Sequence, residues 1–513
     1  MIQISNQKTP KNVSRYIVNY KYEIVLTIII VLALILNSIW IIIDTFPPSW
    51  DQSHYAFENV EHAKVVLTGN PKAIFNSFIE SEPTRGPLFS WIGVPFLVLL
   101  GIERDLTAVV NAIAIGILGI SIYLIGKSLM NKETGLLAVI CTLSFPIILG
   151  LARELLIDLL LTAMVAATIA MILQKKVFHS ARKSACVGII VGLGLLTKLT
   201  YPVFVFVPLG LIAYANIRGT IQHRNMVFWN ILLMIGLISV ICLPWYVHNS
   251  SHLWSYAYND GIGISSTRWG PVDHLSMINI IGYLKQLPDE IGRYKLFFVS
   301  VIFLSVIMIE EEFLLIRKDS ALYRKLLIIL WFVVPYIIWI IVRNRDLRHN
   351  VPALPALAVL FSYIVVSISN TLLRRCAVSV LILLSVFTGI VATFDQSTHY
   401  SYNRLITTDE WNIKELLQFS AKNTNTSNVY IMIDRPAVNY NTVVYYNSKE
   451  DIILNIKGYW EIDHIQSNDL IIVDQAERIR RNITTDQGVL NNFRYLGNWT
   501  LPTHLNIDIY KRI

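Results

Sequence analysis

From residue 24 to residue 394 the chain alternates between long apolar runs and short, mostly basic connections. Ile24–Ile43 is the first run, and its length matches a helix that crosses a bilayer. It carries no small-residue cleavage site, so it reads as an uncleaved first helix. Lys8, Lys11, Arg15 and Lys21 precede it with Glu23 as the only acid, which predicts a cytoplasmic N-terminus. Pro87–Gly101 is apolar but too short to span, so it is expected to lie in the interface or to re-enter. Leu106–Ile125, Gly135–Gly150, Leu155–Leu173, residues 185–197 and 201–215, Val227–Val247, Leu296–Ile316, Leu326–Val342, Leu354–Ser369 and Val378–Phe394 continue the series. The pattern predicts about eleven crossings.

Basic residues in the connections support that threading. Lys175, Lys176, Arg182 and Lys183 fall on the predicted inner side, as do Arg317, Lys318, Arg324 and Lys325. The main exception is Arg343, Arg345 and Arg348, three arginines predicted to lie outside. From about Asp395 the chain turns polar. Thr408–Ser420 reads there as a capped helix, and Val429–Ile433, Thr442–Tyr446, Ile452–Ile456, Leu470–Val473 and Leu505–Tyr510 read as strands. The expected architecture is an α-helical polytopic membrane domain over residues 1–394, with an outer loop at 44–105 containing interfacial helices. A small extracytoplasmic α/β domain is expected over 395–513.

With 54% hydrophobic and 15% charged residues, the 513-residue chain has too little polar surface for a soluble fold. The net charge of +8 is spread over topology-setting loops, which argues against a nucleic-acid partner. Cys141, Cys186, Cys242 and Cys376 lie in or beside apolar runs without metal-ligand spacing. No glycine-rich nucleotide loop, metal-binding helix motif or GxSxG elbow is present, so ATP coupling is not expected.

Candidate chemistry begins at Ser49–Arg85. Pro47-Pro48 ends the first helix, and Ser49 with Gln52 has the form of a capping box opening the next. Asp51, His54, Tyr55 and Glu58 would share one face of that helix. Glu154 and Asp158, four apart, would be neighbours on a second helix face, and an acid one turn into an apolar segment usually faces a cavity. The structural alternative is a tie between helices, Arg153 to Asp158 or Glu154 to Lys198. Arg85, Arg343, Arg345 and Arg348 suit the oxygens of a lipid-linked phosphate, although headgroup snorkelling is an ordinary role for any one of them. Lys198, Trp254, Tyr258, Arg268 and Trp269 are weaker candidates for phosphate, sugar or lipid contacts.

Several motifs in order carry a family resemblance: the early Asp51, Arg85-Gly-Pro-Leu-Phe-Ser-Trp91, Arg153 to Asp158, Gly-Leu-Gly-Leu-Leu-Thr-Lys at 192–198, Leu-Pro-Trp at 243–245, and Arg348-His-Asn-Val-Pro-Ala-Leu-Pro355. Over roughly residues 20–395 the chain resembles membrane glycosyltransferases of the GT-C fold, in the family that includes protein O-mannosyltransferases and the aminoarabinose transferase acting on lipid A. The resemblance implies a polyprenyl-phosphate sugar donor, a lipid, glycan or protein acceptor, and transfer on the extracytoplasmic side of the cell membrane. It maps a catalytic carboxylate onto Asp51, a second acidic position onto Asp158 and the lipid-phosphate contact onto Arg85. Thr84 departs from relatives that carry an acid or His there.

The expected reaction is displacement with inversion. Asp51 acts as base, Glu154 and Asp158 hold sugar hydroxyls, a basic partner or an ion, and His54, Tyr55, Lys198, Arg268, Arg343, Arg345 and Arg348 assist binding. No cofactor is expected, and a divalent metal is not expected to be essential. A non-catalytic lipid-glycan flippase or an outer-domain receptor are the competing classes. Both leave the acids and arginines with less to do together.

Overall fold

The computed structural model describes residues 10–102, 106–174, 176–218, 224–261, 263, 266, 273–309, 320–394, 404–424, 428–474, 493–502 and 506–513. Helix α1 (Pro10–Ile43) leads into α2 (Trp50–Leu67), α3 (Pro71–Ile79), α4 (Pro87–Ile92) and α5 (Val94–Leu100). The bundle continues with α6 (Thr107–Leu129), α7 (Lys132–Leu143), α8 (Pro146–Leu151), α9 (Ile157–Ile172), α10 (Ala181–Leu195), α11 (Tyr201–Arg218) and α12 (Arg224–His248). It closes with α13 (Ser250–Gly261), α14 (Met277–Leu284), α15 (Leu287–Ile291), α16 (Arg293–Ile309), α17 (Ser320–Ile341), α18 (Leu354–Val366) and α19 (Thr371–Phe394). Among the described residues, 6 helical stretches are long and apolar enough to cross a membrane, and shorter apolar helices include Ile157–Ile172 and Tyr201–Ile217. The chain is a multi-pass membrane protein.

Apolar distribution decides which helices sit inside. α9 is apolar all round, and Leu159, Leu161, Val165, Ala166 and Ile169 on its different faces are all buried. It packs with Val110, Leu118 and Ile122 of α6 and Val359 of α18 in one core. α1 leaves Ile28, Leu32, Leu36 and Ile42 exposed, the surface a peripheral spanning helix offers to lipid. Where its apolar stretch begins, Glu23 pairs with Lys132 at 2.7 Å. Lys132 and Glu23 therefore mark one end of the bundle and Asp44 the other.

The expected interfacial segment 87–101 is two short helices joined at Gly93, where any side chain would collide with Asn59 and Leu106 (a Cβ would sit 2.4 Å from Asn59 Oδ1). Residues 135–150 are likewise divided, at Ser144-Phe145, with Pro146 opening α8.

Residues 404–513 contain the α/β unit, with α20 (Ile413–Asn423), β1 (Asn428–Met432), α21 (Tyr440–Lys449), β2 (Asn455–Gly458), β3 (Leu470–Asp474), β4 (Phe493–Thr500) and β5 (Asn506–Arg512). The sheet order is β2-β1-β3-β5-β4; β1 runs parallel to β2 and β3, and β5 antiparallel to β3 and β4. Leu416, Leu417 and Val443 of the two helices pack on Val429, Ile431 and Ile472 of one sheet face.

Two local expectations differ from the structure, and one strand was not expected. Thr442–Tyr446 is helical: Asn439 caps the Thr442 amide at 3.1 Å, and Thr442, Val443 and Tyr445 are buried within that helix. The helix expected at Thr408 begins at Ile413, because Asn412 adopts φ +48°. Strand β4 went unread because its half-exposed, glycine-interrupted pattern carries little apolar alternation.

α21 lies against α2 and joins the two units. Ser53 and Thr442 hydroxyls meet at 3.0 Å, Lys64 donates to the Ser448 carbonyl at 2.8 Å, and Trp50 Nε1 donates to Asp434 Oδ1 at 2.8 Å. The end of the bundle bearing Asp51 is therefore the end that carries the α/β unit.

Candidate active site

Helix α2 opens at Ser49, whose backbone is extended, but its side chain makes no cap. The expected capping box is absent because Gln52 is used elsewhere: its Oε1 accepts the Leu155 amide at 3.2 Å, tying α2 to the turn before α9. That leaves Asp51 in the first helical turn.

Two arginines converge on Asp51. Arg85 Nη2 donates to Oδ1 at 2.8 Å and Arg348 Nη2 lies 2.9 Å from Oδ2. Arg85 is delivered by a close backbone crossing. Leu88 N bonds the Leu196 carbonyl at 2.9 Å, and at Gly86 an added Cβ would lie 2.1 Å from that same oxygen. Arg348 sits in the 3-10 turn Leu347–Ala353, where Asp346 caps its amide at 3.1 Å and meets its Nε at 3.1 Å. Burial raises the Asp51 pKa, but Arg85 and Arg348 outweigh it, so the carboxyl lies below the ordinary carboxylate value and is ionised at neutral pH.

Behind this triad Lys198 Nζ meets Asp158 Oδ1 at 2.7 Å, with the carboxylate wholly buried. Lys198 occupies the turn between α10 and α11, which the Gly86 crossing holds against Arg85. The tie between helices weighed for these acids therefore exists, with Lys198 paired to Asp158 rather than to Glu154. Arg153 bonds Asn37 Oδ1 at 3.2 Å and Thr393 Oγ1 at 2.7 Å instead. Glu154 and Asp158 do not share a helix face, because α9 starts only at Ile157. Glu154 is buried in the preceding turn, where burial pushes its carboxyl up to about 7 against the fields of Arg404 and Arg348.

His54 and Tyr55 flank the triad differently. The Tyr55 ring is buried under the Arg85 guanidinium, 5.0 Å from its centroid. His54 Nε2 stands 3.6 Å from Glu82 Oε2 and 3.9 Å from Glu58 Oε1. Burial and the nearby Arg85 hold its pKa below the ordinary value, so it is neutral at pH 7. Arg85 Nη1, His54 Nε2 and Asp158 Oδ2 are buried without hydrogen-bond partners among the described residues. Buried donors and acceptors of this kind mark where a polar ligand fits.

Arg343 and Arg345 make their contacts elsewhere. Arg343 donates to Ser266 Oγ at 3.3 Å, while Arg345 bonds the carbonyls of His274 and Ile340 and lies over Tyr283. Arg268, with Trp269, lies outside the described residues. Sequence reasoning passed over Glu82, Asp346 and His349. Glu82 receives the Thr84 hydroxyl at 2.7 Å, and His349 stacks on Trp339. Asp346 sits inside the arginine-rich segment and was the available signal. Among the described residues no group of three or more His, Cys, Asp or Glu side chains forms a metal cluster.

Residues 82–248, which contain Arg85, Asp158 and Lys198, match the family described as dolichyl-phosphate-mannose-protein mannosyltransferase. No curated protein sequence matched the chain. Among solved structures, ArnT from Cupriavidus metallidurans in the apo state superposes with TM-score 0.63 at 12% identity, covering 97% of this chain and 98% of that one. The same protein bound to undecaprenyl phosphate gives 0.62 at 11% identity, with 96% and 98% covered. The archaeal oligosaccharyltransferase AglB from Archaeoglobus fulgidus, in complex with an inhibitory peptide and a dolichol-phosphate, gives 0.56 at 11% identity, with 96% and 74% covered. The chain is a membrane protein with the fold of the GT-C glycosyltransferases, similar over residues 82–248 to the dolichyl-phosphate-mannose-protein mannosyltransferases.

Proposed function

We propose that this protein transfers a sugar from a polyprenyl-phosphate carrier to an acceptor hydroxyl or amine on the extracytoplasmic side of the membrane, with inversion at the anomeric carbon. The observation that carries the reading is Asp51 held between Arg85 and Arg348. The orientation draws support from the basic composition of the sequence ahead of the first apolar run, and from Lys127, Lys132 and Arg324, which lie at the end of the bundle away from Asp51. The donor class draws support from the solved relatives, which hold undecaprenyl phosphate and dolichol-phosphate.

In the reaction the acceptor oxygen or nitrogen attacks the anomeric carbon, the bond from that carbon to the phosphate oxygen breaks, and polyprenyl phosphate leaves. Asp51 takes the acceptor proton. Arg85 and Arg348 neutralise the charge growing on the leaving phosphate. The same two arginines hold Asp51 at a low pKa, and a carboxylate so stabilised is a weak base. A donor phosphate competes with Asp51 for both guanidinium groups, so each one it draws away lets the Asp51 pKa rise. Base strength is thereby coupled to donor binding. Asp158, itself held by Lys198, and Glu154 offer acceptors for sugar hydroxyls, and the His54 Nε2 beside Glu82 suits a hydroxyl of sugar or acceptor. No step requires a metal or other cofactor.

The test is reconstitution of the full-length protein with a panel of polyprenyl-phosphate sugars, with mass analysis of lipid product and acceptor. Asp51→Asn should abolish transfer in a protein that remains folded. Near-normal turnover by that variant ends the assignment.

A further inference from the structure

A second chamber lies across α2 from Asp51. About 180 Å³ in volume, it is lined by Asp44, Gln52, Arg153, Arg404, Tyr446 and Lys449, so its walls come from the end of α1, the back of α2, the turn before α9 and helix α21. Leu97 and Lys449 also border a wider groove of about 830 Å³, along which Leu67 and Leu100 are exposed. A polar chamber thus opens beside a groove of mixed lining, with Leu67, Leu97, Val98, Leu100 and Ile102 on the side of α2 and α5 and Lys64, Ser448, Lys449 and Asp451 as its polar members.

The chamber is cationic in a way its own residues do not balance. Arg404 is spent on Asp44, bonding both carboxylate oxygens, although its Nε is buried without a hydrogen-bond partner among the described residues. Arg153, more than nine-tenths buried, has only neutral partners among the described residues: Asn37, Thr393 and the Trp40 ring at 5.2 Å. Lys449 lies 5.7 Å from the Tyr445 and Tyr446 ring centroids and has no ion-pair partner among the described residues. Keeping an arginine out of water with no anion nearby is expensive, and such a group usually marks a ligand contact. The Glu154 carboxyl, between the fields of Arg404 and Arg348, offsets this charge only where it ionises.

We propose that this chamber binds the phosphate group of an amphiphile whose apolar part lies along the Leu67–Leu100 groove. Arginine forks and a lysine ammonium match phosphate oxygens. A water occupies about 30 Å³ in the liquid, so the chamber has room for a tetrahedral oxyanion. The site is separate from the Asp51 arginines and does not depend on the transfer reaction.

Binding rather than turnover tests it, which keeps its failure apart from failure of the transferase reading. Full-length Arg85→Gln/Arg348→Gln protein removes the other arginine pair. It is titrated with dihexanoyl phosphatidic acid, dihexanoylglycerol and inorganic phosphate. One saturable equivalent of phosphatidic acid is expected, with affinity falling at least tenfold on adding Lys449→Gln or Arg153→Gln and no binding of the uncharged diacylglycerol. Lys449→Gln serves where the buried Arg153 variant fails to fold. Unchanged affinity in a folded Lys449→Gln protein, or absence of saturable binding, overturns the site. Inorganic phosphate binding as tightly as phosphatidic acid overturns the amphiphile.

Discussion

Lys198 Nζ lies 2.7 Å from Asp158 Oδ1, and the carboxylate it meets is wholly shielded while the lysine keeps 17% of its surface. A buried carboxylate stripped of its cation is far worse than the same site without charge. Lys198→Met should therefore cost about 3–5 kcal/mol, and Lys198→Met/Asp158→Leu should recover most of it. Denaturant unfolding of the three proteins in one detergent checks this. A single variant as stable as the parent would mean that Arg348 alone carries the compensation.

In the proposed mechanism Arg348, together with Arg85, sets the working pH of Asp51. Burial alone would raise that carboxyl, and the two guanidinium groups reverse it. Replacing Arg348 with Gln leaves burial and removes one opposing charge, so the Asp51 pKa rises. The acid limb of kcat/KM should move to higher pH, since the base is lost at a less acidic point. Transfer assays across pH 4 to 9 read it; a limb that stays in place assigns the base elsewhere.

Gly86 is where the Arg85 turn meets the Lys198 turn. Its φ of −62° suits any residue, so the demand for glycine is purely steric: a Cβ would lie 2.1 Å from the Leu196 carbonyl oxygen and 2.8 Å from the Thr197 carbonyl carbon. Backbone does not yield as a side-chain tip does. Gly86→Ala should cost roughly 2 kcal/mol or more in stability. It should also lower kcat by displacing Arg85, and both losses should appear together.

What the chain reveals by itself is the part governed by period and composition. Apolar runs name the helices, and basic connections order them. The polar turn at Asp395 announces a second unit. Asp51, Arg85, Asp158 and Lys198 stand out because charges beside apolar runs are costly. Pairing is another matter: Lys198 reaches Asp158 rather than Glu154 only because Gly86 lets two turns touch, a contact no periodicity reports. Arg343, Arg345 and Arg348 look equivalent in sequence, yet only Arg348 follows an Asp346 cap that turns it toward Asp51. Thr442–Tyr446 has strand-like residues, and the Asn439 cap with burial against α2 overrides their preference.

Glu154 should make stability fall as pH rises. Its folded pKa is raised from 4.5 to about 7, so between those values the folded protein holds a proton that the unfolded chain releases. Stability is greatest below pH 4.5, as far as this group is concerned, and is lost progressively up to pH 7. The swing is on the order of 3 kcal/mol, about 2.5 units at 1.36 kcal/mol per unit. Glu154→Gln should flatten that part of the melting-temperature profile, most visibly between pH 5 and 7.

Trp50 carries the remaining prediction, because it holds φ +31° immediately before Asp51. A non-glycine residue in that region is strained by about 1–3 kcal/mol and needs surrounding structure to keep it there. The α/β unit supplies it: Trp50 Nε1 donates to Asp434 Oδ1 at 2.8 Å, and Asn441 Nδ2 donates to the Trp50 carbonyl at 3.3 Å. Since the helix start fixes where Asp51 points, loosening this hold should misplace the carboxylate between its arginines. Displacement of about 1 Å at a reacting group can cost up to a hundredfold in rate, so Asp434→Ala is expected to lower kcat by roughly tenfold or more, with little change in donor KM. Asp434→Asn keeps an acceptor oxygen and should restore most of the rate. Equal turnover for Asp434→Ala and the parent would show that α2 holds Asp51 without help from the α/β unit.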